Sequence, residues 1–409
     1  MIDASEHVWS EAPNFRDPAV IQDPITHYER MFAYGKPFFD PVDQVWYVFS
    51  WNGVRQVLRD KHSSVNRFSG YLAKMPPEKQ TALRPFFENL GRWMTFIDDE
   101  AHRKLRTPVQ KAFDSSILQR WHSWLEETCT HLVDVALQHN KFDFMSLIAE
   151  PLPLLLICEM LGIPQEEGRS IKKRYEDIVA FFDTSTDPLI AKKALESEAI
   201  LRSYMHQRIE HARSSSLSSL MTLLVQLQEE DADLQDDDIA ANAILILGAG
   251  HETTTSLLCT AVKLTFEQPE WIESVASDDA FRSGIIEEAL RLQPPLQRTS
   301  RIARKETLVD GVLIPEGHRM CLLLGAANRD PQVFTHPNEA QPEREKNPHL
   351  AFSGGVHFCA GARVARMEAD ILLKTLCSRA GHYQLAQQPF HWLENMTFRS
   401  LTSLLLERS

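Results

Sequence analysis

The chain has 409 residues, of which 43% are apolar and 24% are charged, and its net charge is −13. This composition is typical of a globular protein with a large core, and the acidic balance argues against nucleic acid as a partner. The six cysteines stand singly, without a CxxC pair, which argues against both a zinc cage and a disulfide framework.

The N-terminal segment and the most apolar run indicate where the protein is located. The opening MIDASEHVWSEAPNF has neither a basic nor an apolar region, so it does not predict a signal peptide. The apolar run Leu152–Pro164 is interrupted by Pro153 and Glu159, is too short to span a bilayer, and predicts a buried helix. We therefore expect a cytoplasmic protein without a membrane partner.

The predicted secondary structure is mostly helical, with two small β regions. PFFDPVDQVWYVFSW, residues 37–51, places aromatic and β-branched residues around a Pro/Asp turn and predicts a hairpin. ETLVDGVLIPEGHRMCLLL, residues 306–324, predicts a second β region with a turn at Asp310-Gly311. Most of the remaining chain carries helical patterns, so we predict a mainly α fold with small β-sheets.

One predicted helix is unusually long and carries polar residues at its centre. It begins at the acidic run Asp236–Asp238 and should end before Pro269, which makes it roughly 30 residues or about 45 Å long. It is apolar on most sides, as is typical of a helix through the middle of a protein. Yet its centre reads GAGHETTT, residues 248–255, and buried polar groups are costly unless they are paired. This centre is therefore a candidate functional site.

The second candidate site is Cys359, in the stretch HLAFSGGVHFCAGARVAR, residues 349–366. The sequence after it has a helical period, which places the thiol at a helix N-terminus, where N–H groups and the helix dipole stabilise a thiolate. One cysteine cannot hold an iron–sulfur cluster, but it can bind a haem iron from one side. The alternative is an inert core cysteine in a tight loop, which is our interpretation of the other five.

FSGGVHFCAG, from Phe352 to Gly361, resembles the haem-binding signature of the cytochrome P-450 family, FGxGxHxCxG, with Ser353 in place of the first glycine. The resemblance implies a single domain over residues 1–409 with the cytochrome P-450 fold, in which the long helix lies over haem b (iron protoporphyrin IX). It also implies that Cys359 is the iron ligand and that Phe352 and Gly361 contact the cofactor.

The centre of the long helix also matches a motif of this family. In AGHETT, the small Ala249 would leave room for dioxygen next to the cofactor, and Glu252 and Thr253 resemble the acid–alcohol pair that delivers protons. The alternative is a helix kink in which the threonines bond to their own backbone.

Four basic residues resemble the family's ligands of the haem propionates. His102 and Arg106 lie in HRKLR, Arg301 lies in SRIA, and His357 lies in the cysteine signature. Buried carboxylates need cationic or donor partners, which these residues would supply. Taken singly, each of them would more often be an ordinary surface charge.

A further motif, EEALR, has a structural role in the family. Glu288 and Arg291 lie on one helical face and, with Arg344, resemble the trio that shapes the loop before the cysteine. The alternative is a solvated ion pair on the surface.

The resemblance places Phe182, Leu296, Arg298 and Thr397 among the residues that face substrate. Their mostly apolar neighbourhood suits a lipophilic small molecule. The alternative for Phe182 is an ordinary core position. Arg298 has no match in the family motifs, and it would either bind an anionic group of the substrate or be simply exposed.

The function implied by the resemblance is that of a haem-thiolate monooxygenase, which inserts one oxygen atom of O₂ by hydroxylation or epoxidation. Electrons would come from a separate ferredoxin or flavodoxin, docked on a basic patch of Arg103, Lys104, Arg363 and Arg366. The alternatives are a peroxide-driven oxygenase, in which the proton-delivering pair would be unnecessary, and a non-catalytic haem sensor, for which no output domain is visible.

Overall fold

Helices dominate the computed structural model, which describes residues 4–67, 75–113, 115–184, 188–215, 219–230 and 234–409. The α-helices within these residues, α1 to α15 in chain order, are Pro18–Gln22, Ile25–Tyr34, Trp51–Arg59, Pro77–Leu90, Asp99–Ala112, Ser115–Ala136, Pro151–Leu161, Gly168–Thr184, Pro188–Ser214, Leu220–Glu230, Asp236–Phe266, Trp271–Ser277, Asp279–Leu292, Leu324–Ala327 and Ala362–Arg379. The strands, β1 to β10, are Phe38–Asp40, Val45–Val48, Ser63–Ser64, Lys141–Asp143, Arg298–Ala303, Thr307–Val309, Val312–Ile314, Arg319–Leu323, Tyr383–Leu385 and Leu405–Arg408. The prediction of a mainly α fold with small β-sheets is confirmed.

The described residues pack into two units. The first unit lies within residues 1–64, 122–152 and 253–409, and the second lies within residues 65–121 and 153–252. The described strands all belong to the first unit, whereas the described elements of the second are helical. The single domain expected over residues 1–409 stays a prediction.

The largest sheet of the first unit has five strands in the order β1-β2-β8-β5-β3. β1 and β2 pair antiparallel, with Phe38 opposite Tyr47, so the first predicted hairpin is confirmed. β8 runs parallel to β2 and antiparallel to β5, which places Arg298 at the start of β5 opposite Leu323. The fully buried Trp46 belongs to the apolar cluster that packs against this sheet.

The second predicted β region is also confirmed. β6 and β7 form a hairpin in which Thr307 lies opposite Ile314. At its turn, Asp310 and Gly311 have φ values of 45° and 77°, and an Asp-Gly pair favours this backbone geometry. A separate sheet in the order β4-β10-β9 pairs the last strand of the chain with β4.

Aromatic side chains fill the interior of the second unit. Phe181 of α8 packs edge-to-face on Phe86 of α4, with ring centroids 5.0 Å apart. Trp93 stacks on Tyr175 of α8, with ring centroids 6.2 Å apart. A Cβ at Gly248 of α11 would clash with the Tyr175 ring, so this glycine lets the ring lie against the helix backbone.

The two apolar segments singled out from the sequence are both buried helices. The long helix is α11, which begins at Asp236 and ends at Phe266, three residues before Pro269. The run from Leu152 forms α7, in which Leu156 and Met160 are fully buried. Among the described residues, no helix combines the length and the apolar run that crossing a bilayer requires.

Candidate active site

The loop Phe352–Gly361, called the cysteine loop below, presents Cys359 to solvent. Of the six cysteines, all of which lie in described residues, Cys359 is exposed and the other five are buried. Burial raises the pKa of Cys158 to about 11 and that of Cys377 to about 12, which makes these thiols inert. The Cys359 backbone N–H donates to the Phe352 carbonyl at 3.0 Å, so the two ends of the loop are tied together.

Backbone geometry explains the glycines of the cysteine loop. Gly355 has a φ of 66°, and a Cβ there would clash with the Leu58 carbonyl oxygen, so this position requires glycine. Ser353 has a φ of 62°, which is a left-handed conformation that glycine adopts more readily than serine does. This conformation explains why the family usually has glycine at that position, and serine is accommodated without a break in the loop.

The cysteine loop leads directly into a helix, as predicted. α15 begins at Ala362. Its N-cap residue is Gly361, which has no side chain to cap the first turn. The first N–H groups of a helix have no partner within the helix. Cys359 therefore precedes a helix N-terminus whose dipole favours negative charge.

Ala249, Glu252 and Thr253 share one accessible face of α11. Ala249 is exposed and Glu252 and Thr253 are half-buried, whereas Leu247 and Thr254 on either side are buried. These three positions follow the i, i+3, i+4 spacing of a helix face. α11 is continuous through this segment.

The basic residues of the predicted propionate set are distributed over both units. In the second unit, His102 is 4% and Arg106 is 9% exposed, and in the first unit Arg301 is 4% exposed. These three are therefore not ordinary surface charges, while His357 is half-buried. Burial and the nearby Arg106 charge lower the pKa of His102, so this imidazole is held neutral.

Glu288 is the centre of a buried ion-pair network in the first unit. Arg291 donates to both of its carboxylate oxygens at 2.7 Å, and Arg344 Nε donates at 3.2 Å. Glu288 is 1% exposed and Arg291 is 0% exposed, so the trio is confirmed and the surface alternative is wrong. Burial alone would raise the pKa of Glu288, but the hydrogen bonds and charges of this network lower it.

A second ionic cluster lies next to this trio and was not predicted from the sequence. Glu287 accepts two hydrogen bonds from Arg366, at 2.6 and 2.8 Å, and one from His349 Nε2 at 2.9 Å. His349 Nδ1 accepts the Ala351 N–H at 3.2 Å, so Nε2 is the donor to Glu287. Because His349 precedes the cysteine loop and Arg366 follows it, Glu287 ties together the two flanks of the loop. The doubled glutamate in EEALR is the signal that could have found it.

This cluster corrects part of the docking patch expected from the sequence. The Arg366 charge is neutralised by Glu287, and its guanidinium lies 4.5 Å from the Phe352 ring centroid. Arg103 is paired with Glu100 at 2.5 and 2.9 Å. Arg366 therefore anchors the cysteine loop instead of serving as a docking charge.

The Glu287 cluster predicts a specific dependence of stability on pH. Burial alone would raise the pKa of Glu287, but hydrogen bonds from Arg366 and His349 lower it from 4.5 to about 2. A carboxyl whose pKa is lowered by folding stabilises the protein above its ordinary pKa, and the contribution is lost as pH falls through the folded-state pKa. The stability advantage of the wild type over Glu287→Gln should therefore be full above about pH 4.5 and decline towards about pH 2.

Urea unfolding midpoints of both proteins, measured from neutral to acid pH, check this prediction. Glu267→Gln is the control, because Glu267 pairs with Lys263 in a more exposed position and should shift the midpoint little at any pH. If the urea midpoint of the wild type exceeded that of Glu287→Gln by the same amount from neutral pH down to about pH 2, the proposed stabilisation by the ionised Glu287 would be contradicted.

Three of the four predicted substrate residues meet in the first unit. Leu296 forms an isolated antiparallel β-bridge with Phe398, the residue after Thr397. Arg298 Nε lies 3.4 Å from Thr397 Oγ1. Arg298 is half-buried, so it is not a simply exposed charge. The side chain of Phe182 lies outside the described residues.

Comparison with known proteins finds relatives over most of the chain. The family model described as Cytochrome P450 matches residues 62–278 and 281–398. The Biotin biosynthesis cytochrome P450 of Bacillus subtilis (strain 168) is 30% identical over 364 residues, which cover 88% of this chain and 89% of the relative.

Solved structures give the same result for the fold. The structure of P450BioI in complex with hexadec-9Z-enoic acid ligated acyl carrier protein has a TM-score of 0.87 at 26% identity, covering 96% of this chain and 100% of that chain. CYP109E1 from Bacillus megaterium in complex with testosterone has a TM-score of 0.84 at 26% identity, with 96% and 100% coverage. The chain therefore belongs to the cytochrome P450 family, and it is a haem-thiolate monooxygenase.

Proposed function

We propose that this cytochrome P450 uses haem b to insert one oxygen atom of O₂ into a lipophilic small molecule, by hydroxylation or epoxidation. Its electrons come from a separate ferredoxin or flavodoxin, and it works in the cytoplasm. The observation that carries the proposal is the exposed thiol of Cys359, in front of the N-terminus of α15. A thiol that is accessible and faces a helix dipole is suited to ligate iron as a thiolate.

The residues in place fit a haem. In the part of the chain that the structure describes, no atom beyond the two neighbours of Gly361 lies within 4 Å of a Cβ built there, so protein packing does not require this glycine, and a flat group has room to approach the backbone. The buried His102, Arg106 and Arg301 are cations or donors of the kind that two buried carboxylates need. When bound, haem supplies the redox chemistry that activates O₂.

Each predicted residue then has a separate task. Cys359 would hold the iron through its Sγ, and the N–H groups at the start of α15 would stabilise its negative charge. His102 would donate a hydrogen bond to a propionate, and Arg106, Arg301 and His357 would complete the propionate partners.

The accessible face of α11 is suited to carry protons. Monooxygenation consumes two electrons and two protons for each O₂, and it releases the oxygenated product and water. In a largely apolar site these protons need a built-in route. The half-buried Glu252 would take a proton from solvent at its carboxyl and pass it to Thr253 Oγ1, which donates it onward. Ala249, on the same face, leaves space for O₂.

The similar structures support the substrate class, and exposed cations of this chain support the redox partner. The molecules bound in the similar structures, a fatty acyl group on a carrier protein and testosterone, are both lipophilic. With Arg366 and Arg103 paired, the exposed Lys104 and Arg363 are the cations of the expected patch proposed to attract an acidic ferredoxin.

Replacing Thr253 with alanine should uncouple O₂ consumption from product formation. The variant loses the hydroxyl that donates the proton, so electrons are diverted to hydrogen peroxide, and product formed per O₂ should fall by about tenfold or more. The assay supplies a surrogate ferredoxin, its reductase and a lipophilic substrate, and it measures O₂, product and peroxide together.

The control is Thr255→Ala, two residues along the same helix. Thr255 is buried, and its Oγ1 has no hydrogen-bond partner among the described residues, so this variant should keep normal coupling. Normal coupling in Thr253→Ala would contradict the relay. Product formed only with added peroxide would favour the peroxide-driven oxygenase, and no product with either oxidant would favour a haem sensor.

A further inference from the structure

Two short segments of the first unit form a rigid ladder at the predicted substrate residues. The Gln297 N–H donates to the Thr397 carbonyl at 2.8 Å, and Leu296 bridges to Phe398. Asn395 Oδ1 accepts the backbone N–H groups of Thr397 and Phe398, both at 2.8 Å. The Thr397 backbone is therefore held in place before any ligand binds, as a binding site requires.

Arg298 is a half-buried cation on this ladder, and few hydrogen-bond acceptors lie near its guanidinium. Its Nε lies 3.4 Å from Thr397 Oγ1, and one of its terminal nitrogens lies 3.6 Å from Met396 Sδ. Both contacts are at the long limit for hydrogen bonds, and a guanidinium has several further N–H groups to donate. No carboxylate of the described chain lies within ion-pair distance of Arg298.

Other arginines of the same unit show what a fully engaged guanidinium looks like. Arg399 donates to Gln293 Oε1 at 2.7 Å and to the backbone carbonyls of Ile21 and Gln22 at 2.6 and 3.0 Å. Arg291 is satisfied by Glu288 and by backbone carbonyls. Arg298 differs from both, because its donors point to one hydroxyl and one thioether.

The chemistry around Arg298 specifies the ligand. Leu296, Met396 and Phe398 are half-buried apolar side chains on the same ladder, and they suit the hydrocarbon part of a substrate. One guanidinium balances the single charge of a carboxylate and can donate two parallel hydrogen bonds to it. The Thr397 hydroxyl, already next to Arg298, can donate to the same group.

We propose that the substrates of this enzyme are lipophilic carboxylic acids, whose carboxylate is bound by the Arg298 guanidinium and the Thr397 hydroxyl. The inference rests on the proposed function and narrows its lipophilic small molecules to acids. It also implies that the site of oxygenation lies on the hydrocarbon part, at a distance from the carboxylate.

The test compares myristate with methyl myristate, which has the same chain without the charge. Equilibrium dialysis gives the dissociation constant of each ligand for the wild type, Arg298→Gln and Arg298→Lys. The wild type should bind the acid about tenfold to a hundredfold more tightly than the ester. Arg298→Gln should lose this preference through weaker binding of the acid alone, and Arg298→Lys should keep part of it, since lysine retains the charge without the paired donors.

Arg319→Gln is the matched control, because Arg319 is exposed on β8 of the same sheet and its loss changes the net charge equally. It should keep the preference for the acid. Equal binding of acid and ester by the wild type, a preference that survives in Arg298→Gln, or no binding across a series of saturated acids would each overturn the proposal. The ferrous–carbon monoxide spectrum of the same samples separates the substrate proposal from the proposed function. A thiolate spectrum in a protein that does not prefer the acid rejects only the substrate class. A spectrum without the thiolate band rejects the proposed function.

Discussion

Glu288→Ala should destabilise the protein by about 3–5 kcal/mol, the range for a buried ion pair that loses one partner. The substitution leaves Arg291, which is 0% exposed, without its carboxylate. It also removes the acceptor for the Gln341 N–H and for Asn347 Nδ2, both at 2.8 Å. Because these residues lead towards the cysteine loop, we expect both a lower urea midpoint and less haem in the purified protein.

Asp134→Ala provides the comparison for Glu288→Ala. Asp134 pairs with Arg379 at 2.5 Å, but their side chains are 52% and 41% exposed, so its loss should cost less than about 1 kcal/mol. Equal effects of the two variants would mean that the Glu288 network adds nothing beyond a surface pair. Glu288→Gln should fall between wild type and Glu288→Ala, since its amide still accepts hydrogen bonds but has no charge.

Local signals in the sequence were enough to predict much of the fold and part of the site. The Asp run and Pro269 bound the long helix because capping and proline act within one turn. The Asp310-Gly311 turn follows from backbone preferences of two residues. The cysteine loop was recognisable because FSGGVHFCAG matches a family signature, although the contact that requires glycine at Gly355 comes from the Leu58 carbonyl, which is distant in the chain.

Contacts between distant parts of the chain were not predictable in the same way. Glu287 meets Arg366 across 79 residues, and no periodicity or spacing connects two such positions. For this reason Arg366 was assigned to a docking surface from its charge and its position beside the cysteine motif. The same limit applies to Arg298, whose approach to Thr397 depends on a ladder between segments 99 residues apart. A charge in a sequence says nothing about its partner, and it is the partner that decides between anchoring, docking and substrate binding.

Cys359→Ser should abolish monooxygenase turnover while leaving the protein folded. Serine keeps the backbone N–H that bonds to the Phe352 carbonyl at 3.0 Å, and its side chain differs from that of cysteine by one atom. A hydroxyl does not ionise near neutral pH and cannot give the electron donation of a thiolate. The ferrous–carbon monoxide difference spectrum should therefore lose the red-shifted Soret band that marks a thiolate ligand, and product formation should drop to the background of the assay.

Cys377→Ser separates this effect from a general loss of thiols. Cys377 is buried in α15, the helix that follows the cysteine loop, and burial raises the pKa of its thiol. This variant should be slightly less stable but keep the thiolate spectrum and turnover, because a neutral buried thiol has no part in ligation. A thiolate spectrum that persists in Cys359→Ser, or disappears in Cys377→Ser, would show that the exposed thiol is not the iron ligand. The unfolding midpoints of both variants show whether any loss of haem follows from lost ligation or from a weakened fold. Only lost ligation agrees with Cys359 as the iron ligand.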